Sequence, residues 1–280
     1  MPAADIEAGP EIARALLEEQ HPDLARLPLV PVAEGWDNVV LRLGDDLAVR
    51  LPRRRVAAAL IRHEQLALPA IAARVPVAVP APVRVGTPTD RFPFPWSVVP
   101  WFAGGTVADA GMREDAGLAE ALAAFLAALH VPDEAAPENP VRGVPLAARA
   151  TAMTERLAAL DDPRLDARWR EALDAAPWSG PRLRLHGDLH PANLVQRDGR
   201  LTAVVDFGDT GGGDPATDVA TAWLTFGPGA RERFRAALAP DAATWTRARG
   251  WALCMAAAHV IDGGPTTAAI GRAALSQVLA

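Results

Sequence analysis

Residues 182–208 read RLRLHGDLHPANLVQRDGRLTAVVDFG, and the spacing of polar groups around two apolar runs decides how the chain is read. Asp188 follows His186-Gly187 at the end of the first run, Asn193 comes five positions later, and Asp206-Phe207-Gly208 closes the second. Asp198-Gly199 is a two-residue hairpin signal between the apolar stretches 193–196 and 201–206. Pairing Arg197 with Arg200 gives a register in which Asn193 faces Val204, with Asp206 diagonally two positions on. Side chains alternate with period two, so Asn193 and Asp206 point the same way. Diagonal neighbours lie roughly 7–8 Å apart at the backbone, a gap that an amide and a carboxylate bridge with one hard cation between them. Magnesium, bound through one or two carboxylates plus phosphate oxygens, suits that geometry. A plain edge hairpin with solvated Asn and Asp is the alternative, and it leaves Asp188 and the Asp-Phe-Gly string without a role.

The chain has 280 residues, half of them hydrophobic, enough for one large domain or two lobes with a sizeable core. A net charge of −6 argues against a nucleic-acid partner, which would need a basic stripe to neutralise phosphates. Every basic residue other than histidine is arginine, so Schiff-base chemistry and a lysine nucleophile are excluded. Cys254 stands alone, which excludes an internal disulfide and a cysteine-based zinc site and fits a small buried hydrophobe. No charged-then-apolar signal opens the chain, and its longest uncharged apolar stretch, around 251–261, is too short and punctuated to span a bilayer. A cytoplasmic location without a membrane partner is the expectation.

Apolar periodicity predicts a surface helix over 5–19, then three short strands at 29–32, 38–43 and 47–51 forming an antiparallel meander. A helix over 53–74 follows, with strand-like runs near 83–86 and 96–102. Ala103-Gly104-Gly105 breaks the pattern, as a hinge would. Beyond it, helices are predicted over 113–130, 146–161 and 163–176, then the segment quoted above, then helices near 218–224, 230–238, 242–261 and 266–279.

His-Gly-Asp, four residues, Asn, then Asp-Phe-Gly resembles the protein-kinase set, with Gly187 where kinases carry arginine. With His190-Pro191-Ala192 in between, it is more similar to the aminoglycoside phosphotransferase family, a branch of the kinase-like fold that phosphorylates small molecules. The resemblance runs from about Pro28 to Trp223. It implies an α+β, two-lobed protein-kinase-like fold. Residues 1–102 would be a nucleotide-binding lobe, a small antiparallel sheet with one helix, and 103–280 a larger, mostly helical catalytic and acceptor-binding lobe. The implied activity is transfer of the γ-phosphoryl group of ATP or GTP, with Mg2+, to a hydroxyl of a small molecule such as an antibiotic. A kinase for a macrolide or another hydroxylated metabolite on the same fold, and a non-catalytic nucleotide-binding module, are the alternatives.

The same resemblance assigns roles. Asp188 is the general base or orienter of the attacking hydroxyl, Asn193 and Asp206 hold magnesium, and His186 supports the loop. His190 reads as a hydrogen-bonded loop histidine. Arg50, in Ala48-Val49-Arg50, sits where kinases have the third-strand lysine, with Glu64 as its partner and Arg53, Arg54 and Arg55 as competing cations. Arginine there keeps a permanent charge but differs in length and shape. Gly35, Asp37 and Asn38 occupy the position of the phosphate loop, although a single glycine is equally a plain hairpin turn. Pro100 lacks an N–H, so donors to the nucleotide base come from Trp101 or Phe102. Asp218 is a helix-start carboxylate accepting backbone N–H groups. Asp209 and Asp214 line the acceptor pocket or serve a turn, and Asp262 is a further candidate for acceptor binding. Only nine residues separate Gly208 from Asp218, leaving no long platform for a peptide, so a small hydroxylated acceptor is favoured. Downstream of Asp218 the only acids are Glu232, Asp241 and Asp262, against Trp223, Phe226, Trp245, Trp251 and Met255. A weakly charged acceptor is therefore expected.

Overall fold

The computed structural model describes residues 4–34, 37–111 and 113–280. They divide into two compact units, the first reaching Ala73 and adding Ala78–Ala103, the second comprising Arg74–Val77 and Gly104–Ala280.

The first unit contains α1 (Pro10–Gln20), β1 (Leu29–Glu34), β2 (Asn38–Leu43), β3 (Leu47–Pro52), α2 (Arg55–Ala72), β4 (Arg84–Gly86) and β5 (Trp96–Pro100). Its sheet runs β1-β2-β3-β5-β4, antiparallel at every pairing. Val39, Leu41 and Leu43 alternate inward along β2 and join Leu16 and Leu17 of α1 and the fully buried Trp96. The first helix starts at Pro10 rather than near Asp5, because the ring fixes φ and its missing N–H costs nothing in a first turn. β3 is buried on both faces, which takes Arg50 into the interior.

The second unit begins with β6 (Gly105–Thr106), α3 (Val107–Ala110), α4 (Ala116–Leu129), α5 (Ala150–Leu160) and α6 (Pro163–Asp174). It continues with β7 (Leu183–Leu185), β8 (Leu194–Arg197), β9 (Arg200–Val204) and β10 (Gly211–Gly213). Five helices end it: α7 (Ala216–Val219), α8 (Thr221–Thr225), α9 (Pro228–Leu238), α10 (Ala242–Asp262) and α11 (Pro265–Leu279). α10 is the core element: Trp251 to Ala257 are buried on every side, and Asp241 caps its start by accepting from Thr244 N at 2.8 Å. β10 is a strand made of three glycines, which sequence reasoning treats as loop. It pairs with β7, and a side chain on Gly213 would meet the Gly143 carbonyl at 2.1 Å, so only bare backbone fits. Among the described residues no helix is long and apolar enough to cross a membrane.

Candidate active site

Asp198 and Gly199 both have positive φ, +53° and +73°, as a two-residue hairpin turn demands. The register further along differs from the sequence expectation. Gln196 pairs with Leu201 but Val195 pairs with Ala203, so Thr202 is an extra residue, its hydroxyl donating to the Val195 carbonyl at 3.2 Å. This bulge moves Asn193 from Val204 to Val205, whose N–H donates to the Asn193 carbonyl at 2.9 Å. Strand alternation does not orient the pair either. Asn193 ends a 3-10 turn (Pro191–Asn193), and Asp206 follows β9 in a left-handed conformation, φ +64°. The Asn193 amide donates to the Asp188 carbonyl at 2.9 Å, which turns its oxygen away from that carbonyl, and the Asp206 side chain is exposed.

Between β7 and this turn lies the loop that carries Asp188. Its backbone is held by Asp218, whose two oxygens accept from His186 N and Gly187 N, both at 2.8 Å. His130 Nε2 lies 3.0 Å from the same fully buried carboxylate. Asp218 therefore fastens the loop and not, as the sequence suggested, the start of its own helix, where it is an internal residue of α7. His186 is buried against Phe207, ring centroids 4.4 Å apart. Its Nδ1 accepts from Asp188 N at 3.2 Å, which leaves Nε2 as the donor to the Val205 carbonyl at 3.0 Å.

The Asp188 carboxylate is half-buried among cations and histidines. Arg142 Nη2 lies 3.0 Å from Oδ1, and His190 Nε2 lies 3.4 Å from Oδ2. Burial pushes the carboxyl toward protonation, but His190, Arg142 and His259 together hold it far below the usual carboxylate range. His259, on α10, stands edge-on to His190 at 5.1 Å, and burial and the His190 charge lower it to about 4. Asp209 is raised, chiefly by burial, and accepts from the Asn139 side chain at 2.8 Å. Arg142, His259 and Asn139 are invisible in the sequence around Asp188. They come from loops and a helix dozens of residues away, and no spacing rule links them.

The remaining acceptor candidates are not gathered here. Asp214 is almost fully buried, both oxygens taken by Arg247 at 2.7 and 3.1 Å, with Ala216 N donating at 3.0 Å. Of the two roles the sequence left open, acceptor pocket or turn, the contacts are those of the turn: its carboxylate is spent on α10 and the turn before α7. Asp262 is exposed and pairs with Arg156 at 2.9 Å. Trp223, Phe226, Trp251 and Met255 are core, and Trp245 lies under Arg235.

In the first unit Arg50 and Glu64 meet as a buried ion pair, Nη1 to Oε2 at 2.6 Å, linking β3 to α2. Asp37 accepts from Arg54 Nε at 3.0 Å, so it is neutralised from within the chain. Asn38 opens β2 opposite Pro52. Gly35 lies outside the described residues. Trp101 N–H donates to the Asp46 carbonyl at 2.7 Å, which removes it from the donors open to a base, while Phe102 is half-buried just beyond β5.

A loop built to present one carboxylate, with an amide and a second carboxylate next in sequence, is what a kinase-like enzyme requires. Residues 28–251 match the family described as the phosphotransferase enzyme family, APH; the chain belongs to that family and is a phosphotransferase. Solved structures are similar in fold along nearly the whole chain. The GDP and kanamycin complex of APH(2″)-IIia is 19% identical with a TM-score of 0.74, covering 95% of this chain and 97% of that one. The macrolide 2′-phosphotransferase MphH from Brachybacterium faecium, an apoenzyme, is 23% identical with a TM-score of 0.64, over 93% and 97%. The streptomycin-ATP-APH(2″)-IIa ternary complex is 18% identical with a TM-score of 0.63, over 94% and 96%. No curated protein matches the chain in sequence.

Proposed function

We propose that this phosphotransferase moves the γ-phosphoryl group of ATP or GTP to a hydroxyl of a small molecule in the cytoplasm, with Asp188 orienting the hydroxyl. One observation carries the reading: Asp218 grips the backbone N–H groups of His186 and Gly187, immediately ahead of Asp188, so the Asp188 carboxylate is offered from a fixed platform. Phosphoryl transfer asks the protein mainly for positioning and charge neutralisation. His190, Arg142 and His259 keep the Asp188 carboxyl ionised, so it accepts a hydrogen bond from the hydroxyl, whose proton becomes acidic only as its oxygen bonds to phosphorus. The carboxylate therefore aligns the hydroxyl first and takes the proton late.

Magnesium fits the residues present. The Asn193 amide oxygen and the exposed Asp206 carboxylate are hard oxygen donors, and both belong to turns flanking one hairpin. When bound, the ion neutralises phosphate charge. In the unit reaching Ala103 we assign phosphate binding to Arg50, held straight by Glu64, and base recognition to the backbone at Phe102. The unit from Gly104 onward supplies catalysis and acceptor binding. Two of the solved relatives named above are complexes, one with GDP and kanamycin and one with ATP and streptomycin, which supports a nucleotide donor and a small hydroxylated acceptor here.

A turnover screen of ATP and GTP with Mg2+ against kanamycin-type aminoglycosides, macrolides and neutral hydroxylated metabolites tests this, run beside Asp188→Asn. Saturable nucleotide release dependent on one acceptor and lost in the variant is the expected result. An Asp188→Asn protein as active as the wild type would overturn it.

A further inference from the structure

Asp188, His190 and His259 bring metal-capable atoms within 4.8 Å of one another, two from the catalytic loop and one from α10. We propose that these three side chains form a Zn2+ site with an open fourth position, next to the Asn193 and Asp206 pair, since Asn193 Nδ2 lies 3.3 Å from the His190 Nε2 that zinc would take, and that zinc there takes Asp188 out of phosphotransfer. Only that inhibitory consequence rests on the function proposed above; the binding itself does not.

Zinc bound at about 2.0–2.2 Å to nitrogen and oxygen sets tetrahedral ligand atoms roughly 3.3–3.5 Å apart. Asp188 Oδ2 and His190 Nε2 are 3.4 Å apart, long for a direct hydrogen bond and close to that spacing. Arg142 occupies the other oxygen, Oδ1, and leaves Oδ2 facing the histidines. His259 completes the set. Its Nδ1 is buried and finds no hydrogen-bond partner among the described residues, a state that costs free energy until something binds it. Arg142 opposes a cation here, but it is offset by two carboxylates, since Asp209 acts on it as well as Asp188. Two imidazoles, one carboxylate and a vacant position match the donor set zinc takes in its open sites. A cost is visible too. A neutral His190 holding metal through Nε2 must carry its proton on Nδ1, which now accepts from Ala192 N at 3.3 Å, so that bond is lost. The site is accordingly reversible and not needed for folding.

Metal binding is measured without turnover, using Co2+ and then Zn2+ on tag-free protein with Mg2+ present in excess to fill the hard-ion site. One Co2+ per chain with visible d–d bands, displaced by an equivalent of Zn2+, is expected. His259→Ala and Asp188→Asn should each weaken calorimetric Zn2+ affinity by about ten-fold or more, while His259→Ala leaves Mg2+-nucleotide binding unchanged. His259→Phe keeps the ring's bulk without its nitrogens and serves if the alanine variant folds poorly. Absence of Co2+ and Zn2+ binding at micromolar metal, or affinity indifferent to both His259 variants, would overturn the site. Metal binding in a protein whose phosphotransfer is unaffected would remove the inhibitory role alone.

Discussion

Gly187 shows how one residue separates this loop from that of the protein kinases. Its φ is +92°, and a Cβ there would stand 2.2 Å from the Asp209 carbonyl oxygen. The arginine found at this point in kinases has no room. Gly187→Ala should lower stability by about 1–3 kcal/mol, the usual scale of a backbone forced into a sparse region. Thermal unfolding checks this, and turnover should fall with it. Asp188→Ala has a different signature: turnover should drop by roughly 10²–10⁴, as for a positioned acid-base group, with nucleotide affinity measured by calorimetry left intact. The depressed carboxyl also fixes a pH sign. Its contribution to stability is present above the unfolded value, about 3.9, and is lost as pH falls through the folded one. No acidic limb assignable to Asp188 should then appear in kcat/KM between about pH 5 and 8; a wild-type limb in that window coinciding with an Asp188 carboxyl titration followed by NMR would contradict it.

Among the elements, α10 is tied to the glycine strand by Asp214 and Arg247, each about 4% exposed at the side chain. Removing one partner of a buried pair strands a charge, so Arg247→Met should destabilise by about 3–5 kcal/mol. Asp214→Asn combined with Arg247→Met should regain part of that loss, a coupling that denaturant titration measures. The helices and the meander of the first unit were legible in the sequence because apolar periodicity is long and regular there, as along β2 and α2. β6, two residues long, and β10, all glycine, carry no periodic signal; both form because a neighbouring strand has backbone groups to satisfy. The hairpin turn was legible from Asp198-Gly199, but the bulge at Thr202 was not. A one-residue register shift leaves the apolar pattern intact while changing what Asn193 faces. In the second unit motif spacing singled out Asp188, Asn193 and Asp206 as candidates, and in the first unit the kinase resemblance paired Arg50 with Glu64, an ion pair the structure contains. Arg142, Asn139 and His259 depend on tertiary packing alone.

Across the second unit, four acidic side chains that could greet a polycation are already engaged. Asp241 caps α10, Asp262 meets Arg156, Asp214 meets Arg247, and Asp209 is held by Asn139. Arg142 adds a positive charge beside Asp188. Uncharged or weakly cationic hydroxylated acceptors should therefore exceed kanamycin in kcat/KM in a coupled nucleotide-release assay. Efficient use of kanamycin with neutral acceptors inert would reverse that order and leave the phosphotransferase intact.

The pairing of Glu64 with an arginine also determines how this enzyme is seen by chemistry applied from outside. Nucleotide-derived acyl-phosphate reagents tag kinases by acylating the ε-amine beside the bound phosphates. With Arg50 in the phosphate-binding role proposed above, a guanidinium stands there, inert to acylation, and no lysine exists elsewhere in the chain to take its place. Such reagents find no ε-amine anywhere on the loaded protein, so the lysine adduct by which kinases are tagged cannot form. Surveys of phosphotransferases built on lysine capture pass over an enzyme of this composition, however tightly it holds its nucleotide.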